Sequence, residues 1–254
     1  RVYDPSDGAP TSSLVYHALG NKDDLWIAAA GTVSDWHLGP VADLFAKTYP
    51  DLLNTKSKNV ARVIYTTPLG KLIRIITFSI KGRVSDMMTS VKILTRIATP
   101  YELLEQETPR ARFLLHKYER INKEYQSLLQ TALETRAKHN LFTFTYKEKN
   151  TSFTADLSNE LLFRKKGNVI LVAREAGDLF IFSLRVPYTL HEKEGINAQE
   201  LLHAAMKGLD GSGGGHPTAC GGSIRAASFD QFTTNLRSIL AKQCKKTTGT
   251  EQNS

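Results

Sequence analysis

The spacing of apolar positions along the chain predicts an α/β beginning. Small and apolar residues recur at helical spacing over Thr11–Leu19 and stop at Gly20, which predicts a helix with a C-terminal cap. Leu25–Ala30 is a short continuous apolar run that favours a buried strand, although periodicity alone does not exclude a helix. Asp35 would then lie at the carboxyl end of that strand, the edge where open α/β sheets bind ligands.

Apolar positions over residues 59–139 recur at helical spacing and predict a series of helices. Thr99 is followed by Pro100 and by Glu102 three residues on, which is typical of a capped helix start. The strongest pattern alternates four-residue and three-residue steps, at Leu114, Tyr118, Ile121, Tyr125, Leu128 and Ala132. It predicts a long connecting helix with one buried stripe, in preference to an independent coiled coil.

From residue 140 onward the apolar period shortens to two. Leu141–Tyr146 alternates large apolar residues with Thr, as a half-buried strand does. Val169–Ala173 and Leu179–Leu184 flank Gly177-Asp178 and predict a hairpin. Further helices are expected over 157–165, 197–207 and 230–242, with a last strand over 223–227. The C-terminal part is therefore expected to be a mixed α/β domain.

Composition restricts the class of protein and of partner. Hydrophobic residues at 41% and charged residues at 23% are ordinary for a folded soluble chain. A net charge of +8 favours a polyanionic partner, because each neutralised phosphate releases condensed counterions. The two cysteines are too few for a disulfide framework and favour a reducing, cytoplasmic location. No apolar run approaches the roughly 18 residues of a membrane span, so no membrane partner is expected.

The glycine-rich segment over residues 209–222, LDGSGGGHPTACGG, holds the densest candidate chemistry. Three consecutive glycines let backbone N–H groups approach an anion without an intervening side chain. A histidine at the end of the run can donate a hydrogen bond to a phosphate oxygen. A flexible surface linker with an incidental histidine is the alternative. The position between a predicted helix and a predicted strand favours a phosphate-binding loop.

The run GGGHPTACG resembles the signature of the DHHA1 domain. Ser183-Leu184-Arg185 matches the S-x-R strand that precedes this signature in the family. Residues 30–35, AGTVSD, resemble the fourth conserved motif of the DHH domain, and residues 10–13, PTSS, resemble the segment just after the DHH motif. Together these segments cover nearly the whole chain, in an order similar to that of archaeal and bacterial relatives of the RecJ nuclease.

The resemblance implies an α/β fold with four regions. Residues 1–58 would be the end of a parallel-sheet DHH domain, and residues 59–139 a helical region with a long connector helix. Residues 140–246 would form the mixed α/β DHHA1 substrate-binding domain. Residues 247–254 would be a disordered tail, as their polar composition also suggests.

The resemblance also implies metal-dependent hydrolysis of a phosphodiester. In the family, aspartates and histidines of the DHH half hold two Mn²⁺ or Mg²⁺ ions, and a bridging hydroxide attacks phosphorus. Asp35 would be one metal ligand, and no other catalytic residue is expected in this chain. The substrate phosphate would be bound by Arg185, Gly213, Gly214, Gly215 and His216. Arginine suits this role because its planar fork matches phosphate oxygens in pairs.

The sequence departs from the family in what it lacks. It contains no Asp-His-His triplet and no D-x-D motif, so a single family aspartate, Asp35, stands where a two-metal centre needs several ligands. Three explanations stay open: a separate DHH-bearing chain, a portion of a longer protein, or lost catalysis with a retained binding surface. Taken alone, Asp35 is also explained as a helix cap and Arg185 as the partner of a surface carboxylate.

We therefore expect a portion or subunit of a RecJ-like single-strand exonuclease that acts on DNA or RNA. The alternatives are a non-catalytic nucleic-acid-binding or replication scaffold, and a phosphodiesterase for oligoribonucleotides or cyclic dinucleotides. The expected partners are a single-stranded nucleic acid or short oligonucleotide and a DHH-motif-bearing N-terminal half or partner chain. A homo-oligomer stays open.

Overall fold

The computed structural model describes residues 8–54, 58–138, 140–147 and 151–250, without the side chains of 244–250. The chain divides into two compact units, residues 1–123 and 124–254. Every regular element of the first unit's described residues is a helix. After the first helix comes a 3-10 turn at Lys22–Asp24. The helices are α1 (Thr11–Leu19), α2 (Leu25–Ser34), α3 (Pro40–Thr48), α4 (Val60–Thr66), α5 (Pro68–Ser79), α6 (Val84–Leu94), α7 (Pro100–Leu104) and α8 (Pro109–Glu134), the last of which continues into the second unit.

The segment Leu25–Ala30 is helical, so the strand predicted there is wrong. It forms the first turns of α2, and Trp26 is 1% exposed in the core of the unit. Other parts of the unit cover α2 on nearly every side, so nearly every side of the helix is apolar. A helix without a polar face shows no helical period in its sequence. A Cβ at Gly31 would come within 2.7 Å of Ser12 Cβ, so α1 and α2 pack too closely there for a side chain.

Capping residues determine where several helices of the first unit begin and end. Gly20 ends α1 in the left-handed conformation, φ 67°, and donates its N–H to Tyr16 O, as predicted. Thr67 begins α5, since its hydroxyl accepts a hydrogen bond from Gly70 N at 3.2 Å. Gly70 is required by the α4–α5 contact, where an added Cβ would lie 2.1 Å from Ile64 O.

The predicted helix start at Thr99 is confirmed and extends into a larger network around Glu102. Thr99 Oγ1 accepts a hydrogen bond from Glu102 N at 3.1 Å. The buried Glu102 carboxylate accepts from Ala98 N at 2.8 Å and from Arg110 Nε at 2.7 Å. The hydrogen bond from Arg110 is the largest cause that lowers the pKa of Glu102, to about 2.

We expect Glu102 to make the first unit sensitive to strong acid. Its folded pKa lies below its ordinary value of 4.5, so the stabilisation is present above pH 4.5 and is lost as pH falls toward 2. Glu102→Gln should lower the free energy of unfolding by about 1.5–3 kcal/mol at neutral pH, and the difference from wild type should vanish near pH 2. Both tryptophans, Trp26 and Trp36, lie in this unit, so tryptophan fluorescence during denaturation reports it. The exposed Glu105→Gln is the control, and an equal effect of both changes at neutral pH would contradict the prediction.

Helix α8 confirms the long helix predicted from the four-three spacing. Leu114, Ile121, Tyr125 and Ala132 are each no more than 6% exposed, while Tyr118 and Leu128 are half-buried. Within the described residues, every helix is too short or too polar to cross a lipid bilayer.

The second unit is a five-stranded sheet with helices, which confirms the α/β fold class. Its strand order is β1-β2-β3-β5-β4, with β1 parallel to β2 and every other neighbouring pair antiparallel. Its elements are β1 (Leu141–Lys147), α9 (Thr154–Arg164), β2 (Val169–Ala176), β3 (Leu179–Arg185), α10 (Tyr188–Glu194), α11 (Ala198–Met206), β4 (Gly211–His216), β5 (Ala219–Arg225) and α12 (Ala226–Thr250). The predicted first strand, hairpin and helices over 157–165 and 197–207 are confirmed.

The C-terminal end differs from the expected tail. Helix α12 begins at Ala226, earlier than the helix predicted over 230–242, and continues to Thr250, into residues 247–254, where a disordered tail was expected. The rest of that expected tail, residues 251–254, lies outside the described residues.

The two faces of this sheet are covered differently. Leu171, Leu184 and Ile224 point to one face and join the core that includes Leu201 of α11 and Phe232 of α12. Helix α9 contacts the opposite face over β2 and β3. Tyr125 Oη and Arg164 both donate to the fully buried Glu160 carboxylate of α9, at 2.7 Å from Oη and 2.6 Å from Nη2. Among the described helices, those that pack extensively on β4 or β5 are α11 and α12, which lie on the other face, so β4 and β5 are largely uncovered on the α9 face.

Candidate functional site

The glycine run is an extended strand, so the phosphate-binding loop predicted there is wrong. Residues 211–216 form β4, the edge strand of the sheet, and pair in register with β5, from Gly211 opposite Ile224 to His216 opposite Ala219. Pro217 and Thr218 form the turn between the two strands. The last strand, predicted over 223–227, therefore begins earlier, at Ala219. The backbone of β4 is straight, so its glycines do not form a concave N–H nest.

Steric crowding explains most of these glycines. A Cβ at Gly213 would lie 2.8 Å from Gly221 O and 3.1 Å from Leu202 Cδ2. A Cβ at Gly215, where φ is +151°, would lie 2.3 Å from Ala219 O. At both positions the nearest obstacle is the backbone of β5, and at Gly213 the side chain of Leu202 on α11 adds a second obstacle. Gln199 of α11 also donates to Gly215 O at 2.5 Å.

Gly214 differs from its neighbours because an added Cβ would meet nothing within 4 Å. In the ladder, Gly214 lies opposite Gly221, and Gly221 lies opposite Ser183 of β3. Residues directly opposite one another share a face of the sheet. Gly214 and Gly221 therefore form part of a bare floor on the face away from α11.

The same register brings Arg185 and His216 into one row on that face. Arg185 of β3 lies opposite Ala219 of β5, which lies opposite His216 of β4. Two strand spacings separate their Cα atoms by about 10 Å. Between the two side chains the floor has nothing larger than the methyl group of Ala219. We call this surface, defined by Arg185, Ala219, His216, Gly214 and Gly221, the open face.

Three hydrogen bonds to neutral groups hold Arg185 in place. Its Nε donates to Asn159 Oδ1 at 2.8 Å, and its Nη1 donates to Leu184 O and Cys220 O, both at 3.0 Å. These contacts orient the half-buried guanidinium through a side-chain amide and two backbone carbonyls. Sequence patterns did not indicate Asn159, because it lies 26 residues away on α9.

His216 ends the edge strand with an exposed side chain. Its carbonyl oxygen lies 3.5 Å from Cys220 Sγ, which can donate to it. Cys220 is 2% exposed, and burial raises the pKa of its thiol. The thiol is therefore a protonated core group that faces away from Arg185 in the ladder, and the polar chemistry of the open face belongs to Arg185 and His216.

Asp35 lies in the first unit, at the C-terminal end of α2 rather than at the end of a strand. Its side chain is exposed. Trp36 N donates to Val33 O at 3.0 Å and His37 N donates to Thr32 O at 3.2 Å, the two bonds of a Schellman motif. Trp36 thus occupies, at φ 60°, the left-handed position that glycine usually takes.

The strained Trp36 presents an aromatic surface next to Asp35. Its side chain is 41% exposed and meets Tyr65 edge-on, with ring centroids 6.5 Å apart. Tyr65 also lines a small basic hollow with Lys71 and Arg74. A bulky residue at positive φ costs about 1–3 kcal/mol. Sequence patterns did not predict this helix end, because no glycine stands at it.

The described residues do not provide a two-metal centre. No group of three histidine, cysteine, aspartate or glutamate side chains converges among them. Asp35 is one carboxylate, whereas Mn²⁺ and Mg²⁺ take about six oxygen or nitrogen ligands each. These described residues alone therefore do not fit a resident pair of metal ions.

Comparisons with known proteins give a family match and several fold likenesses. Residues 140–242 match the family model of the DHHA1 domain. The Mn²⁺ complex of RecJ from Thermus thermophilus is 14% identical, with a TM-score of 0.57 over 90% of this chain and 34% of that chain. The pGpG-specific phosphodiesterase PggH from Vibrio cholerae is 13% identical, with a TM-score of 0.50 over 78% of this chain and 68% of that chain.

The C-Ala domain of Aquifex aeolicus alanyl-tRNA synthetase is 27% identical over 40% of this chain and 90% of that domain, with a TM-score of 0.35. No curated protein matches the sequence significantly. The chain thus spans about a third of the length of the RecJ chain that shares its fold.

Proposed function

Because residues 140–242 match the DHHA1 domain, we propose that the open face binds a phosphate group of a single-stranded nucleic acid or short oligonucleotide. The observation that carries this proposal is the row formed by Arg185, Ala219 and His216. A cation fixed by three hydrogen bonds and an exposed imidazole flank a floor of small residues. This arrangement suits a tetrahedral oxyanion, since the Arg185 guanidinium attracts its negative charge and His216 can donate a hydrogen bond to it.

In this proposal the chain is a portion or subunit of a RecJ-like exonuclease of the DHH phosphoesterase class. Asp35 is its one metal ligand, and a DHH-motif-bearing half or partner chain supplies the rest of a Mn²⁺ or Mg²⁺ site. Asp35 and the ligands of that other half would hold the ions, which would supply the nucleophile and neutralise charge on phosphorus. The position of Asp35 supports this role, because a carboxylate beside the negative end of the α2 dipole favours a bound cation.

Arg185→Ala tests the open face. We expect it to weaken binding of a fluorescein-labelled twelve-nucleotide oligothymidine by roughly 10–150-fold, because it removes hydrogen bonds to a charged group worth about 1.5–3 kcal/mol. Arg185→Lys should recover part of the affinity, since it restores the charge but not the planar fork. Fluorescence anisotropy with the full chain at low salt measures both.

The matched control is Lys147→Ala on β1, at the opposite edge of the sheet, where the side chain is 85% exposed. It removes one positive charge from the same unit and should change affinity less than about two-fold. If Arg185→Ala and Lys147→Ala bind the oligonucleotide equally well, the open face is not the phosphate site.

The assignment of Asp35 needs the reconstituted enzyme. With a DHH-motif-bearing chain and Mn²⁺, Asp35→Asn should abolish turnover while oligonucleotide binding without metal stays unchanged. If turnover persists, Asp35 is not a metal ligand. If no DHH-bearing chain restores turnover to the wild-type chain, the non-catalytic binding or scaffold role is favoured.

A small-nucleotide substrate is the second candidate, favoured by the fold shared with the pGpG-specific phosphodiesterase. The open face spans about 10 Å between Arg185 and His216, which is enough for a dinucleotide. Competition between a linear diguanylate and the twelve-nucleotide strand separates the two candidates. A strand that binds no tighter than the dinucleotide, with little salt dependence, would favour the small substrate.

A further inference from the structure

The first unit contains a second basic groove, between α6 and α8. It has a volume of about 520 Å³. Asp86 of α6 lies on one side, and α8 contributes Arg112, Phe113, His116, Lys117 and Arg120. None of these residues belongs to the open face, to the Asp35 region or to the motifs that carry the family resemblance. Three cations against one carboxylate give the groove a net positive charge.

Lys117 is a buried cation on the wall of this groove. It is 8% exposed, and its Nζ donates to Ser90 Oγ at 3.0 Å and to Asp86 O at 3.1 Å. Both acceptors are neutral, although an ammonium group has three N–H donors and a full charge. Among the described residues, no carboxylate lies within ion-pair distance of Lys117 Nζ and no third acceptor contacts it. Burial lowers the pKa of Lys117, and the Asp86 carboxylate offsets this effect only in part.

A buried charge of this kind is costly unless a counter-charge compensates it. An anion in the groove would supply both the counter-charge and the third acceptor. Lys117 therefore distinguishes this groove from a solvated basic helix face, in which every cation is already hydrated.

The spacing along α8 indicates more than one anionic group. Arg112, His116 and Arg120 lie one above another on successive turns, about 6 Å apart and about 12 Å end to end. Neighbouring phosphates of an extended strand can therefore contact the two arginines separately, without either side chain reaching toward the other.

Phe113 adds an aromatic surface at the rim. Its side chain is 49% exposed, which is unusual for a phenylalanine of a packed unit. An aromatic ring beside spaced cations is the arrangement by which proteins bind single strands without sequence preference. An acidic peptide would use the cations but would gain less from an isolated ring.

We propose that the α6–α8 groove binds a single-stranded nucleic acid, with phosphates on Arg112 and Arg120, the Lys117 ammonium at the wall, and a base stacked on Phe113. The groove lies in the first unit and the open face in the second, so the two sites are tested separately. The proposal goes beyond phosphate binding by the DHHA1 domain and does not depend on it.

The test compares variants of the full chain for binding the labelled twelve-nucleotide oligothymidine. The double variant Arg112→Ala/Arg120→Ala should bind at least ten-fold more weakly at low salt, and the slope of log affinity against log salt should fall by roughly 1.4. Phe113→Ala should weaken binding by roughly 5–150-fold with an unchanged salt slope, as expected for one lost stacking contact. Lys22→Ala/Lys47→Ala removes two exposed charges of the same unit and should bind as wild type.

A second measurement, on the wild-type chain, follows the pKa of Lys117 as the oligothymidine binds. The side-chain resonances of Lys117 followed against pH should show its pKa rising when oligothymidine is added, and not when thymidine monophosphate or inorganic phosphate is added at equal phosphate concentration. Three results would overturn the proposal: a double variant that binds like its control, monophosphates that shift Lys117 as strongly as the strand, or poly-glutamate that competes equally. Arg185→Ala should leave the Lys117 response intact, so failure of the open face and failure of the groove are distinguishable.

Discussion

Gly215→Ala should destabilise the second unit by about 3 kcal/mol or prevent its folding, whereas Gly214→Ala should leave stability unchanged and impair binding. At Gly215 the backbone has φ +151°, and a Cβ would lie 2.3 Å from Ala219 O and 2.8 Å from Cys220 Cα. Both obstacles are backbone atoms of the paired strand, so no side chain can move to relieve the clash.

At Gly214 a methyl group meets nothing within 4 Å, so the strand accepts it. The methyl group would nevertheless stand on the open face, beside the row that contains Arg185 and His216. We therefore expect about ten-fold weaker oligonucleotide binding, and a larger loss for Gly214→Val, because each added carbon displaces the phosphate from Arg185.

Far-UV circular dichroism during urea denaturation measures the first effect, and anisotropy measures the second. Gly214→Ala keeps the prediction testable even if Gly215→Ala fails to fold. Two results would contradict it: Gly215→Ala with wild-type stability, or Gly214→Val with wild-type affinity.

Glu160→Ala should lower the stability of the second unit by about 3 kcal/mol. The Glu160 carboxylate is fully buried and accepts from Tyr125 Oη at 2.7 Å and from Arg164 Nε at 2.8 Å. Without it, the hydroxyl of Tyr125, a residue 2% exposed, loses its strongest acceptor, and Arg164 loses its counter-charge. The side chain of Arg164 is 41% exposed and can be rehydrated in part, which keeps the loss at the low end for a buried ion pair.

The matched control is Glu175→Ala. Glu175 is 41% exposed and lies 3.8 Å from Lys147 Nζ, so its removal should cost less than about 1 kcal/mol. Circular dichroism should show the loss for Glu160→Ala, while the tryptophan transition, which reports the first unit, should move less. Equal losses for the two glutamates would show that Glu160 is not a buried anchor of α9.

Short-range patterns predicted much of the fold. The helix over Thr11–Leu19, the Thr99 cap and the hairpin around Gly177-Asp178 are confirmed, because each depends on residues within one or two turns of one another. The resemblance of the glycine and histidine run to the DHHA1 domain is confirmed over residues 140–242. The domain boundaries and the site residues Asp35, Arg185, Gly213, Gly214, Gly215 and His216 remain predictions.

Two predictions from the sequence are wrong, and in both cases tertiary packing overrides the local pattern. Leu25–Ala30 has the composition of a buried strand, but α2 is surrounded by other helices and needs no polar face. The glycine run has the composition of a loop, but Gly213 and Gly215 are required by close contacts with β5, and Gly213 also by contact with Leu202 of α11. Neither outcome could be predicted from neighbouring residues, because the deciding atoms come from distant parts of the chain.

The order of residues along the chain shows which groups are available: an arginine in an S-x-R strand, a histidine after three glycines, and cations at successive turns of a long helix. Contacts between distant parts of the chain determine which of these groups lie side by side. Arg185 and His216 share a face because antiparallel register places both opposite Ala219, and a shift of one residue would put them on opposite faces. Lys117 is a buried cation rather than a solvated one because α6 packs over it. Periodicity is a local property, whereas register and burial depend on contacts between residues far apart in the chain.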